Sequence, residues 1–344
     1  MKLKSIALGF ALALSFASAA AETPRSATQL AAEYQDLNLL SAVRLDPKLM
    51  GSKAGLAQIN AAFTKMADES PVQPDAKFTV PAKGSQPAVD LYVFRPDNAK
   101  KAKLPVVYFM HGGGYLFGNA RQSNAALLEL ANLNQVAVVS VEYRLASQAP
   151  FPADIDDAYH GLSYLLNHAD QFNIHADKAV IMGESAGGGL AARLALKVRD
   201  RGELKLKGQV LIYPMLDYRT GTQKSPYRSP NTGEFVWTPE FNRIGWSMLK
   251  GGKNIAAKDM PYYSAATAKN LAGLPRTYMM VGDLDLFVNE DVDYANRLVQ
   301  AGVKTDFQLI SGVYHAFEII NPNSPQTKAY KAARTDAINR MLNE

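Results

Sequence analysis

"AVIMGESAGGGLAARLAL", residues 179–196, decides how this chain is read. A short apolar run passes through Gly183, Glu184, Ser185, Ala186 and Gly187 into residues with helical spacing. The G-x-S-x-G match alone is weak, since roughly 0.1 such matches arise by accident in a chain of this length. Its setting is informative. A strand-to-helix turn sharp enough to lift a serine above a sheet needs small neighbours on both sides, and Gly183 and Gly187 supply that room. The hydroxyl then sits at a helix N-terminus, where partial positive charge favours a developing anion. Ser185 is therefore the candidate nucleophile.

Outward from this turn, apolar strands alternate with helical segments, the signature of an α/β fold with a mainly parallel sheet covered by helices on both faces. Strands are expected at 89–96, 104–111, 136–144, 178–185, 208–214, 276–283 and 304–311. Helices are expected near 122–132, 153–170, 186–200, 289–302 and 325–342. Pro152 and the acids Asp154, Asp156 and Asp157 suit the start of the second helix, where the macrodipole favours negative charge. Two stretches break the rhythm. Residues 26–68 have helical periodicity without a strand, and 215–265 are too rich in Tyr, Trp, Phe and Pro for a solvated linker. Long excursions above an α/β sheet often cover a site, so both are expected to form one cap lining a pocket.

A second motif lies in "VVYFMHGGGYLFG", residues 106–118, where a strand runs into His111 and the glycines 112–114. Glycine loses more backbone entropy on folding than any other residue, so three in succession need a steric or functional reason. Attack of Ser185 on a carbonyl would create an oxyanion. Backbone N–H groups reach such a charge only where no Cβ obstructs them, which makes Gly113, Gly114 and Ala186 the candidate donors. A phosphate cradle is the competing reading, but neither motif carries a P-loop Lys-Ser/Thr or dinucleotide-fingerprint spacing.

A serine hydroxyl needs a base, and that base needs an orienting carboxylate. Of five histidines, His111 heads the glycine run, while His160, His168 and His175 precede the nucleophile strand and suit surface or core roles. Only His315, in "SGVYHAF", follows Ser185, giving the chain order Ser, acid, His known from α/β-hydrolase sheets. After the strand "RTYMMV", the loop "GDLDLFVNED" offers Asp283 and Asp285, and spacing barely decides between them. Glu290, Asp291 and Asp293 read as helix-start and solvated charges.

Composition narrows the field. The 344 residues can bury a large core. Residues 1–21 combine Lys2 and Lys4, an apolar run from Ile6 to Ala17 and small residues suited to cleavage near Ala19 or Ala21, the pattern of a cleavable export signal. A retained membrane anchor is the alternative, but the run is short and no cationic stop follows it. Export to the periplasm or medium, with no stable anchor after cleavage, is expected. With no cysteine, lipidation, disulfides and thiol chemistry are excluded. The formal charge of +5, two units of it from the leader lysines, is spread without a long basic run, so no nucleic-acid partner is indicated. No metal or organic cofactor is called for, and nothing specifies an oligomeric state.

Taken in order, "HGGGYLFG", "VSVEYRLA", "FPADIDDAY", "GESAGG", "LIYPMLD", "LAGLP" and "GVYHAF" resemble the hormone-sensitive-lipase-like, H-G-G-G type esterases of the α/β-hydrolase fold over about residues 80–342. The resemblance implies a carboxylesterase with a helical cap. It favours Asp285 as the acid, because Asp285 stands nine residues before Tyr294 with Glu290 at the family's spacing. The implied layout is a signal over 1–21, a cap segment over 22–80, a catalytic domain over 81–214 and 266–344, and an inserted cap segment over 215–265. The chain departs from the family at Ser147 and Gln148 of "LASQ", at Leu286 where a proline is usual, and at Ala316 where a glycine follows the histidine. None of these removes a reacting group. Serine ester hydrolysis of small-molecule, short- to medium-chain esters is the expected activity. An amidase or peptidase on the same fold, or a non-catalytic ligand-binding relative, are the rivals.

Overall fold

Residue-by-residue alternation in "LPVVYFM" sends Val106, Tyr108 and Met110 into one buried cluster and Val107 and Phe109 into another. A strand covered on both faces must be apolar throughout, which is why this segment shows no polar alternation. In the computed structural model, which describes residues 24–36 and 46–344, it is the third of eight strands in one sheet. The strands are β1 (Ala76–Val80), β2 (Val89–Phe94), β3 (Leu104–Met110), β4 (Ala137–Val141), β5 (Ile174–Glu184), β6 (Gly208–Ile212), β7 (Arg276–Gly282) and β8 (Thr305–Ile310). Their order across the sheet is β1-β2-β4-β3-β5-β6-β7-β8. From β4 to β8 every pairing is parallel, and only β2 runs antiparallel to its neighbours. This is the mainly parallel α/β architecture expected.

Among the described residues the longer helices are α1 (Lys53–Asp68), α2 (Asn124–Asn134), α3 (Ala153–Asn167), α4 (Ala186–Arg201), α5 (Pro239–Lys250), α6 (Val288–Gln300) and α7 (Pro325–Asn343); all but α1 and α5 lie against the sheet. On one face α3, α4 and α6 bury Leu162, Leu190 and Tyr294; on the other α2 and α7 bury Leu130 and Ile338. Local chemistry sets their starts. Ser52 accepts the Gly55 N–H ahead of α1, Thr238 accepts the Phe241 N–H ahead of α5, and Ser324 accepts the Thr327 N–H ahead of α7. Pro239 and Pro325 stand at first helical positions, where the missing N–H costs nothing.

Two expectations change. β1 falls inside the stretch assigned to the cap, so the sheet begins at Ala76 rather than after residue 80. Its five residues form an edge with Lys77 and Thr79 turned outward, too short and polar to announce a strand. Residues 25–34 also lie apart from the rest of the 22–80 segment. They join the cluster of β8 and α7 through Leu30 and Tyr34, and the Ala31 N–H donates to Gly312 O; Ser26 still meets the insert, donating to the Glu234 carboxylate, while α1 packs with other parts of the insert in the opposite cluster. The acids of α3 stand at its start as expected, and they are tied to partners as well. Asp154 pairs with Arg193 at 2.5 Å, Asp156 with Lys197, and Asp157 with Arg144 and Gln86. The leader expected over 1–21 lies outside the described residues. Among those described, no helix is long and apolar enough to cross a membrane.

The Arg193–Asp154 pair joins α4 to α3 with both side chains withdrawn from solvent, and the guanidinium also lies 4.9 Å from the Tyr115 ring. Removing one member of a buried pair strands the other charge, which typically costs about 3–5 kcal/mol. Arg193→Leu is expected to lower stability by that amount, read as a shift of the urea unfolding midpoint, and Arg193→Leu with Asp154→Leu to recover part of it.

Candidate active site

Strand β5 ends at Glu184 and α4 begins at Ala186, so Ser185 alone makes the turn, with φ +56° and ψ −121°. A non-glycine residue there is strained and must be held. The Ser185 N–H donates to Ile212 O at 2.9 Å, and its carbonyl accepts from Gly189 and Met215 at 2.9 and 3.0 Å. The flanking glycines are steric requirements. A Cβ on Gly183 would lie 2.1 Å from Gly187 O, and one on Gly187 would lie 2.1 Å from Met110 O.

The structure brings the three residues singled out for chemistry into one series. His315 Nε2 lies 2.8 Å from Ser185 Oγ, and His315 Nδ1 lies 2.8 Å from Asp285 Oδ2. The other Asp285 oxygen accepts the Phe287 N–H at 2.9 Å. A carboxylate facing Nδ1 keeps the proton there, leaving Nε2 as an acceptor for the serine hydroxyl. Ser185, His315 and Asp285 are only 7%, 4% and 1% exposed, so charge in this series is poorly screened. Asp283 is placed differently: its carboxylate accepts from Gly312 N–H and Ser311 Oγ, tying down the turn before His315. Ala316, where the family has glycine, sits at φ +58°.

The glycine turn faces this series. Gly112 packs so closely that a Cβ would be 3.3 Å from the Ser185 Cβ. Gly113 and Gly114 have φ +129° and +61°, and no acceptor meets their N–H groups among the described residues. The first N–H of α4, from Ala186, has no intrahelical acceptor either. His111 supports the turn: its Nδ1–H donates to Gly112 O at 2.8 Å, its ring stacks on Tyr143 at 4.4 Å, and burial lowers its pKa to about 4, so it is neutral. Cap elements clamp the turn from two sides. Asn60 of α1 bonds Leu116 O and the Gly118 N–H, while Gly245 of α5 approaches so near that a Cβ would lie 2.7 Å from Gly114 O.

Other candidates stand elsewhere. His160 and His168 bond the carbonyls of Pro81 and Tyr164, and His175 lies on β5. Glu290 and Asp291 are buried, against the solvated role expected of them. Glu290 accepts the N–H groups of Leu216 and Asp217 and the Thr220 hydroxyl, so its partners come from the insert, some seventy positions away. Burial pushes both carboxyls well above the usual range. No three His, Asp or Glu side chains group as a metal site among the described residues. Sequence reading missed the rings around His315: Tyr213 at 4.6 Å, Phe287 at 5.2 Å and Trp237 at 6.3 Å. The aromatic richness of the insert was the only signal for Trp237.

An elbow serine between a parallel strand and a helix, facing an acid and an imidazole from later loops, is the arrangement of the α/β hydrolases. The family model for the alpha/beta hydrolase fold matches residues 106–319. The chain belongs to that family, in the hormone-sensitive-lipase-like branch its motifs resemble. It is 29% identical over 259 residues to an ethyl acetate hydrolase of Pseudomonas putida, covering 75% of this chain and 79% of the relative. It is 30% identical over 219 residues to an arylesterase of Saccharolobus solfataricus, covering 63% and 70%. Among solved structures, a bacterial heroin esterase superposes with a TM-score of 0.81 at 28% identity, covering 93% of this chain and all of that one.

Glu184, the residue before the nucleophile, faces Glu318, with Arg334 and Lys331 as the nearby cations. Burial first, then Glu318, raises its pKa to about 7. Glu318 in turn accepts the Tyr213 hydroxyl, holding the ring that meets His315 edge-on. Between the ordinary Glu value of 4.5 and about 7, the unfolded chain has lost the Glu184 proton while the folded chain keeps it. Stability contributed here therefore falls as pH rises through that window. Glu184→Gln is expected to flatten the fall, measured as the difference between urea midpoints at pH 5 and pH 7.

Proposed function

We propose that the chain is a serine carboxylesterase that cleaves small-molecule esters of short to medium acyl chains through an acyl-Ser185 intermediate. One observation carries the reading: the unbroken Ser185–His315–Asp285 hydrogen-bond series opposite unpaired glycine N–H groups. His315 Nε2 takes the Ser185 proton as Oγ bonds to the carbonyl carbon. The carbonyl oxygen gains the electron pair and meets the N–H groups of Gly113, Gly114 and Ala186. Collapse expels the alcohol, which leaves with the proton from Nε2. Water enters the vacated position, gives a proton to Nε2 and attacks the acyl carbon. The second collapse frees the carboxylic acid and returns the proton to Oγ. Throughout, Asp285 holds the Nδ1–H tautomer and stabilises the imidazolium.

The names of the relatives, an ethyl acetate hydrolase, an arylesterase and a heroin esterase, support ester cleavage with alcohol portions of differing shape. Export is part of the same proposal and rests on the residue pattern of 1–21.

A fluorophosphonate is expected to label Ser185, mapped by peptide mass. Ser185→Ala should retain no more than about 10³-fold acceleration over the uncatalysed reaction. Asp285→Asn should lower kcat about 10⁴-fold, as loss of the tautomer-holding carboxylate does in triads generally. Asp283→Asn loses hydrogen bonds remote from the imidazole and should cost no more than about tenfold. Label on another residue, or amide analogues cleaved as fast as esters, overturns the assignment. The intact mass of the exported chain should correspond to cleavage after Ala19 or Ala21; an uncleaved mass refutes the leader.

A further inference from the structure

Both tryptophans of the chain, Trp237 and Trp246, belong to the insert, and both pack beside the glycine turn. Trp246 meets Tyr115, next to the turn, with the rings tilted at 5.3 Å. Trp237 lies between the turn and His315. A Cβ on Gly114 would come within 2.1 Å of the Trp237 Cη2, and the ring lies 6.3 Å from that of His315. The indole therefore lies against Gly114, one of the proposed oxyanion donors, and near the imidazole that meets Ser185.

Its position is fixed from several sides. The indole N–H donates to Asn242 Oδ1 at 3.3 Å, and the fully buried Asn242 donates to Thr220 O at 2.8 Å. Just before it, Val236 has φ +56°, and the Trp237 N–H turns back to Phe235 O at 2.6 Å. That is a γ-turn of the strained, positive-φ kind about a β-branched residue, a conformation kept only where the surroundings impose it. Just after it, Thr238 caps α5 and Pro239 locks the first helical turn. A side chain held in this way does not swing aside for substrate.

We propose that Trp237 is the wall that sets the length of acyl group admitted beside Ser185, an inference that rests on the esterase reading above. Around the attacked carbon, one direction belongs to the oxyanion and its donors. Another, next to His315 Nε2, must let the alcohol leave and water enter, so an anchored, water-excluding ring cannot fill it. Tyr213 and Phe287 already flank the imidazole more closely than Trp237 does. The remaining direction is the acyl chain's. Chains that end before the indole are accepted, while longer ones require the Asn242 bond and the γ-turn to break.

The test uses p-nitrophenyl esters from acetate to decanoate, alkyl acetates from methyl to octyl, and fluorophosphonate titration of functional sites. For the wild type, kcat/KM should fall at least about tenfold from butanoate to decanoate, a size discrimination that an apolar pocket readily supplies. In Trp237→Ala that fall should vanish at undiminished titre, with the alkyl acetate profile unmoved. An unchanged acyl profile at full titre, or a change confined to the alkyl acetates, overturns the proposal. Inactivation of the wild type by p-nitrophenyl alkylphosphonates decides the matter even if the variant does not fold. Rates should drop about tenfold from methyl to octyl on phosphorus, and a flat series refutes the wall. Absence of any label on wild-type Ser185 would instead condemn the esterase reading itself.

Discussion

A single residue at positive φ bears the structure's chemistry. Ser185 cannot turn from β5 into α4 without a backbone conformation that L-residues avoid, at a cost on the order of 1–3 kcal/mol. What maintains it is crowding. Gly183 and Gly187 leave no space for any side chain, the Ser185 N–H is fastened to β6, and its carbonyl is shared by α4 and the segment after β6. Parallel neighbours on both sides make β5 the axis of the sheet, so the elbow is braced by the part of the fold least able to move.

The cap and the glycine turn form one mechanical unit. α1 reaches the turn through Asn60 and through the stacking of Phe63 on Phe117, while α5 presses Gly245 against the Gly114 carbonyl. Glu290 adds a third tie, gathering the start of the insert against α6. Changes in the cap therefore reach the turn that carries Gly113 and Gly114 and, through Trp237, the surroundings of His315.

Much of this was legible in residue order. Strands β3, β4, β6 and β7 read as apolar runs because burial on two faces leaves little alternative, and the elbow and turn read as glycine patterns because a Cβ there would strike backbone or, at Gly114, the Trp237 ring. Legibility failed where partners are distant in sequence. Spacing barely separated Asp283 from Asp285, since what distinguishes them is which one meets His315 and which one meets the Ser311–Gly312 turn. Glu290 and Asp291 looked solvated because acids at a helix start usually are, yet both are buried, Glu290 beneath the insert whose N–H groups it accepts. β1 escaped notice as a short charged edge. Trp237 was visible only as one aromatic among many, because neither its γ-turn nor its bond to Asn242 leaves a pattern in sequence.

The placement of both tryptophans has a spectroscopic consequence. In most proteins of this size indole emission averages over several distant regions, but here every indole lies on a single insert helix or at its entrance, beside the turn that faces Ser185. Light absorbed selectively by indole is thus re-emitted from one neighbourhood, making the unmodified chain its own optical reporter of loosening at the cap, separate from melting of the sheet.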